Sequence, residues 1–256
     1  ALKQVREGGV YTVQDTYRKR KDGTLVHVSI STASLKDGNG KVIGTMALIF
    51  IGAGSICANA LDPKIGTIGI ALAHGLTIAV MVSALGHISG GHFNPAITIG
   101  VWVARKISTG QALAYWIFQL AGGVLGAWLL TRVFPTEIWR AVTLGTPDLG
   151  QGITRGPGIL AEALMTFFLV FVVFATAIDG RGAFKAIAGF GIGLTITFDI
   201  LAGGPLTGAS MNPARTFGPA LITRHWANHA VYWVGPLLGG VIAGALYSTL
   251  FLEKGK

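Results

Sequence analysis

Gly208-Ala209-Ser210-Met211-Asn212-Pro213-Ala214-Arg215-Thr216-Phe217-Gly218-Pro219 is the stretch on which the reading of this chain turns. It reads as a loop followed by a helix start. Asparagine is a preferred N-cap residue and proline suits the first helical position, so Asn212 and Pro213 mark a first turn. The apolar residues that follow run to Leu221, which predicts a helix of about ten residues, too short to cross a bilayer. Earlier in the chain, Gly90-Gly91-His92-Phe93-Asn94-Pro95-Ala96-Ile97-Thr98 repeats the arrangement. Both copies lie between long apolar segments. Two short helices that start at Asn-Pro-Ala inside a membrane protein predict half-helices entering from opposite faces, with N-terminal ends that meet near the midplane.

The composition supports a membrane setting. Of 256 residues, 51% are apolar and 12% charged, against about 25% charged in soluble domains. The 38 glycines suit close helix packing in lipid. The net charge of +9 comes from basic residues gathered at the N-terminus and in loops. That distribution fits a membrane surface rather than nucleic acid. The single cysteine, Cys57, excludes an internal disulfide. The N-terminus has no apolar core followed by a cleavage site, so no signal peptide is expected.

Residues 1–41 differ from the remainder. Thr12 to Arg20 and Leu25 to Ser31 read as strands around an Asp-Gly turn, and Lys36-Asp37-Gly38-Asn39-Gly40-Lys41 reads as a second turn. With Gly44 close behind, this pattern resembles the C-terminal half of a PAS sensory domain, too little to build that family's ligand pocket. Two strands alone are marginal in water, so a loosely ordered arm is expected. A fusion is read at the boundary between 1–41 and 42–256.

From Val42 the chain turns apolar. Spans are predicted at Val42–Leu61, Ile65–Leu85, Gln111–Leu130, Ile159–Ile178, Ala186–Ala202 and Val231–Leu252. The two short helices fall in 88–104 and 207–221. Lys41-Val42-Ile43-Gly44-Thr45 aligns with Glu162-Ala163-Leu164-Met165-Thr166, 121 residues later, and Asn94 with Asn212, 118 later. Three spans per half is odd, so the second half lies upside down relative to the first. The predicted class is therefore an all-α membrane protein: six transmembrane helices and two re-entrant half-helices as an inverted repeat, preceded by a short β-hairpin-like arm. Basic residues outside the arm number six on the side of the termini and five on the other; the arm adds eight and predicts cytoplasmic N- and C-termini.

The doubled Asn-Pro-Ala, with Arg215 directly after the second copy, resembles the aquaporins, the major intrinsic protein family, over about Ile43 to Leu252. The resemblance implies a passive channel for water and small neutral solutes such as ammonia and hydrogen peroxide. It implies exclusion of ions and protons, a homotetramer in a lipid bilayer, and no cofactor, metal or enzymatic chemistry. Asn94, Pro95, Ala96 and Asn212, Pro213, Ala214 become the midplane motifs. Each asparagine would aim an amide donor at the solute oxygen, and each half-helix its positive dipole end. Backbone carbonyls of 88–93 and 207–211 would line the remainder of the path. An intramembrane arginine is functional by default, and the resemblance puts Arg215 in an outer constriction with His74, Ile200 and Ala209. That set resembles tonoplast intrinsic proteins and some prokaryotic relatives.

Glycerol facilitators typically carry Asp after this Arg; here it is Thr216, and Tyr232-Trp233 resembles the water-channel branch, which leaves a glycerol facilitator as the alternative. A membrane-anchored sensory or fusion remnant with impaired conduction is the other. Glu162 is expected to accept hydrogen bonds from N–H groups of a re-entrant segment. Its symmetry mate is Lys41, where the family carries Glu. Lys41 is therefore expected to reach for the cytoplasmic interface and to leave the first segment without its acceptor. Asp199 is expected to meet a loop donor or headgroup water, and His87 and His92 to be loop hydrogen-bonding groups.

Overall fold

A computed structural model describes residues 16–19, 25–28, 35–181 and 187–252. Within them six helices are long and apolar enough to cross a membrane: Gly38–Leu61, Pro63–Ser89, Thr109–Val133, Arg155–Ile178, Ala188–Thr207 and Val231–Leu250. The chain is a multi-pass, all-α membrane protein. Two short strands precede the helices, β1 (Thr16–Lys19) antiparallel to β2 (Leu25–Val28), with Thr16 opposite Val28 and Lys19 opposite Leu25. The expected Asp-Gly turn at 20–24 lies outside the described residues, as do Lys185, Lys254 and Lys256.

The first span joins α1 (Leu35–Ala47), a π-helical stretch (Leu48–Ala53) and α2 (Gly54–Leu61). Then come α3 (Gly66–Ser89), the short α4 (Pro95–Val103), α5 (Thr109–Val133) and a surface helix α6 (Thr136–Ala141). The second half has α7 (Arg155–Val173), running into a π-helical turn at Phe174–Ile178, then α8 (Ala188–Thr207), the short α9 (Pro213–Thr223) and α10 (Val231–Leu250). At 1.5 Å per residue the 9 residues of α4 and the 11 of α9 are each about half as long as a ~30 Å hydrocarbon core is thick.

Most span ends shift by a few residues from the sequence reading, and two departures matter most. The turn expected at Lys36–Lys41 is helix, because α1 begins at Leu35 and continues through the compositional boundary at 41/42. Its glycines serve packing rather than turning. A Cβ on Gly38 would lie 2.6 Å from the Phe118 ring, and one on Gly40 would lie 2.7 Å from Ser89 Cβ. Tertiary contact here overrides the low helix propensity of Asp-Gly and Asn-Gly. The fifth span also runs on past Ala202 to Thr207, with Pro205 inside it.

The packing follows the repeat. In the first half α1 packs on α5 and α3; in the second, α7 packs on α10 and α8. Each half's last span then clasps the other half's short helix, α5 against α9 and α10 against α4, while α3 and α8 meet across the centre. Small residues permit these approaches: a Cβ on Gly218 of α9 would come within 2.3 Å of the Gly123 carbonyl oxygen of α5. Large apolar side chains such as Ile68, Val80, Ile117, Leu160 and Leu250 stay on the outside of the chain, as apolar surroundings allow.

Candidate functional site

Both loops that lead to the short helices are built alike. Gly90 (φ 75°) and Gly208 (φ 77°) end α3 and α8 in the left-handed conformation, donating to the Gly86 and Gly204 carbonyls. Three residues follow, and then the asparagine. Asn94 Oδ1 accepts the Ala96 N–H at 2.8 Å, and Asn212 Oδ1 accepts the N–H groups of Ala214 and Arg215 at 3.0 and 3.3 Å. Asn94 Nδ2 donates to the Met211 carbonyl at 2.8 Å, and Asn212 Nδ2 to the Phe93 carbonyl at 3.0 Å. Each amide thus caps its own helix and ties to the carbonyl just before the other asparagine. An amide nitrogen carries two hydrogens, so each keeps one N–H beyond this tie. Pro95, Ala96, Pro213 and Ala214 form the first turns and are buried.

A single cavity touches Asn94 and Asn212 together with His74, Ile200, Ala209 and Arg215, and extends to His92. Its wall is otherwise largely apolar, with Ile78, Val82, Leu169, Val173, Ile192 and Ile196 among the contributors. All four residues of the expected constriction are buried. His74 Nδ1 lies 2.9 Å from the Ile70 carbonyl. A carbonyl only accepts, so Nδ1 carries a hydrogen, and Nε2 has no protein partner among the described residues. Gly52, in the first π-helical stretch, makes room for this ring: a Cβ there would sit 2.7 Å from Nε2. Arg215 Nη1 donates to the Gly145 carbonyl at 2.7 Å, while Nε has no protein partner among the described residues.

Three residues anchor the site; the sequence reading passes over Gly145 and Gln119 and takes Tyr232 only as a mark of the water-channel branch. Gly145 closes a run of left-handed residues, Thr143, Leu144 and Gly145, which is the strained loop that carries the acceptor for Arg215. Tyr232, fully buried, donates to the Thr207 carbonyl at 2.8 Å. Gln119, a fully buried amide in an otherwise apolar span, donates to the His92 carbonyl at 2.7 Å and to Thr98 Oγ1 at 2.9 Å. An amide in the middle of an apolar span was the available signal for Gln119.

Glu162 is fully buried and holds the second loop. Its Oε1 accepts from Thr207 Oγ1 and the Ser210 N–H, at 2.7 and 2.8 Å, and Oε2 accepts the Met211 N–H at 2.7 Å. Lys41 departs from expectation. It does not reach for the interface but is fully buried, and its Nζ donates to the Ser89 carbonyl and lies 3.2 Å from the centroid of the Tyr115 ring. The first loop is therefore held through a carbonyl by a donor, where the second is held through N–H groups by an acceptor. Asp199 is 3% exposed inside α8, and its Oδ2 has no partner among the described residues. His87 belongs to the last turn of α3, and His92 Nδ1 is buried without a partner among the described residues.

The loop between α6 and α7 is tied to the one between α9 and α10. His225 Nε2 and Asn228 Nδ2 each meet Asp148 at 2.9 Å. Burial pushes the Asp148 carboxyl up, but hydrogen bonds from Asn228, the Leu149 N–H and His225 outweigh it and hold the group below the usual carboxylate range. Among the described residues no group of three or more His, Cys, Asp or Glu is placed to hold a metal.

A family model, Major intrinsic protein, matches residues 28–247. The chain belongs to the major intrinsic protein family. Among its relatives, aquaporin TIP4-4 of Zea mays is 43% identical over 226 residues, 84% of this chain and 86% of that one. A probable TIP-type aquaporin of Medicago truncatula is 42% identical over 228 residues, 86% and 89% of the two chains. The X-ray structure of the aquaglyceroporin from Plasmodium falciparum superposes with a TM-score of 0.74 at 20% identity, covering 84% of this chain and 96% of that one. At that identity the likeness speaks for the major intrinsic protein fold alone.

Proposed function

We propose that the chain is a passive channel for water that also passes small neutral solutes, ammonia and hydrogen peroxide among them, and excludes ions and protons. The observation that carries this reading is the reciprocal pair of bonds, Asn94 to Met211 and Asn212 to Phe93, beside a cavity that touches both amides. In this reading α4 and α9 enter from opposite membrane faces and their N-termini face each other. Each helix end contributes about half a positive charge. A water arriving there turns its oxygen to the two spare amide N–H groups and donates its own hydrogens outward. Neighbouring waters then cannot pass a proton through it, and a cation meets positive potential with no compensating acceptor.

His74, Ile200, Ala209 and Arg215 form the outer constriction. The Arg215 guanidinium and the His74 Nε2 offer polar groups to a passing solute, and Ile200 and Ala209 leave the opposite wall apolar. Of the carbonyls expected along 88–93 and 207–211, those of Ser89, His92, Phe93, Thr207 and Met211 already accept from side-chain donors, which leaves Gly90, Gly91 and residues 208–210 to supply acceptors along the path. The names of the TIP-type relatives support the water reading. A glycerol facilitator is the weaker alternative, since Thr216 stands where that branch carries Asp, and its hydroxyl is 2.6 Å from Ser210 Oγ. The channel works as a homotetramer with both termini in the cytoplasm. The segment that precedes the first span, with its paired strands Thr16–Lys19 and Leu25–Val28, reads as an arm like half of a PAS domain, and the boundary expected between 1–41 and the channel part at 42–256 falls inside α1.

Ala209→Cys tests the path. The variant's water flux in reconstituted vesicles should fall on treatment with a thiol-directed mercurial, while the wild type, whose Cys57 is fully buried, should respond much less. A labelled variant with unchanged flux would remove Ala209 from the pore.

A further inference from the structure

We infer that Lys41 is a positioning residue for the inner half of the channel, doing by donation what Glu162 does for the outer half by acceptance. The inference deepens the channel reading above and rests on it for its functional half. Lys41 and Glu162 occupy matched places in the repeat, and each meets the residue just before the opening glycine of its loop, Lys41 the Ser89 carbonyl and Glu162 the Thr207 hydroxyl. The chemistry of the two contacts is opposite. A carboxylate can only accept, and it gathers N–H groups; an ammonium can only donate, and it must find an acceptor. The first loop supplies the Ser89 carbonyl, the last carbonyl of α3 before the turn to Asn94.

Lys41 reaches the cavity wall by a second route. Its Nζ lies over the Tyr115 ring face, and the Tyr115 ring meets the His92 ring edge-on, with centroids 5.6 Å apart and planes at 90°. His92 touches the same cavity as the two asparagines. The backbone around Lys41 is shaped for this closeness. A Cβ on Gly40 would collide with Ser89, and one on Gly44 would sit 2.1 Å from the Phe93 ring. One face of α1 therefore forms the seat of residues 89–93, and Lys41 is the polar tie within it. Both contacts run from the ammonium to groups that carry the loop, so the residue acts on the pore through Ser89 and His92 rather than by touching solute.

The test compares Lys41→Met, which keeps the stem and removes the donor, Lys41→Glu, which restores the acid of the matched position, and Lys41→Arg, which restores a donor. Full-length protein in nanodiscs is followed by hydrogen exchange of residues 89–94 and 208–212, and in vesicles by osmotic water flux. In Lys41→Met, exchange at 89–94 should accelerate about tenfold, the change expected on losing one charge-assisted hydrogen bond, while 208–212 keeps its protection. Water flux per channel should fall with it. Lys41→Glu should be at least as impaired, and Lys41→Arg should recover both readouts in large part.

Tyr115→Leu, which leaves the Ser89 bond in place, should loosen residue 92 more than residue 89. Unchanged exchange in Lys41→Met, or a loop made tighter by Lys41→Glu, would overturn the inference. A wild type that conducts no water while Lys41→Met still loosens the first loop would overturn the channel reading and leave the tie standing.

Discussion

The two loops that carry Asn94 and Asn212 have the same length and the same left-handed opening glycine, yet they are restrained by opposite means. The second loop places non-glycine residues in the left-handed region, Ala209 at φ 44° and Met211 at φ 53°, and a fully buried Glu162 fastens three of its donors. The first loop has Gly91 at φ 66° where the second has Ala209, and Lys41 ties one of its carbonyls. A left-handed L-residue costs about 1–2 kcal/mol, which glycine avoids. The strained loop thus has the denser set of hydrogen bonds, and the glycine loop keeps its shape with fewer. The repeat preserves where the tie is made, not which partner donates.

Breaking the denser tie should have the largest effect. Glu162→Ala leaves the Ser210 and Met211 N–H groups and the Thr207 hydroxyl without their acceptor, and stability should fall by about 3–5 kcal/mol, since each buried donor left unpaired costs about 1–3 kcal/mol. Denaturant unfolding in detergent measures it; a loss under about 1 kcal/mol would mean that the strained loop holds itself.

The asparagines come next, and here the halves should behave alike. Asn94→Ala and Asn212→Ala each remove an N-cap and one end of the cross-tie, about 2–3 kcal/mol. Because each amide donates to the other's loop, the double variant should cost less than the two singles combined, and strict additivity would argue against the shared junction.

Much of this architecture was legible in sequence. The caps, the spans and the repeat follow from residue type and spacing, because bilayer thickness and helix-end chemistry act locally along the chain. What escaped was set by contacts distant in sequence. The Asp-Gly and Asn-Gly steps at 37–40 read as a turn until Phe118 and Ser89 are seen against them. Lys41 read as a residue bound for the interface, because the sequence does not reveal a buried carbonyl 48 residues away. Arg215 was visible as an intramembrane charge, but its acceptor lies on the backbone of Gly145, where no side chain announces it.

Gly91→Ala puts into the first loop the strain that the second already bears. A Cβ there would meet nothing nearer than 3.5 Å, so the cost is conformational, about 1–2 kcal/mol. The same substitution should be worse in Lys41→Met, where the tie is missing; equal costs in both backgrounds would separate strain from restraint.

The smallest effect is expected where the loops join the halves at the surface. Asp148→Asn should cost under about 1 kcal/mol, since the Asp148–His225 pair is partly open to solvent, with side chains 37% and 29% exposed. A carboxyl held below its unfolded value contributes stability above pH ~4 and loses it as pH falls through the lowered folded value. Acid below about pH 4 should therefore loosen this junction in the wild type and not in Asp148→Asn, as exchange at 148–150 would report.

The most direct measurement is osmotic shrinkage of reconstituted vesicles in a stopped-flow mixer, with a pH-sensitive dye sealed inside. The account predicts that vesicles holding the wild-type chain shrink faster than empty ones with no added proton leak, and that Asn94→Ala and Asn212→Ala each weaken one or both properties. Shrinkage at the rate of empty vesicles, from protein that is folded and correctly inserted, would contradict it.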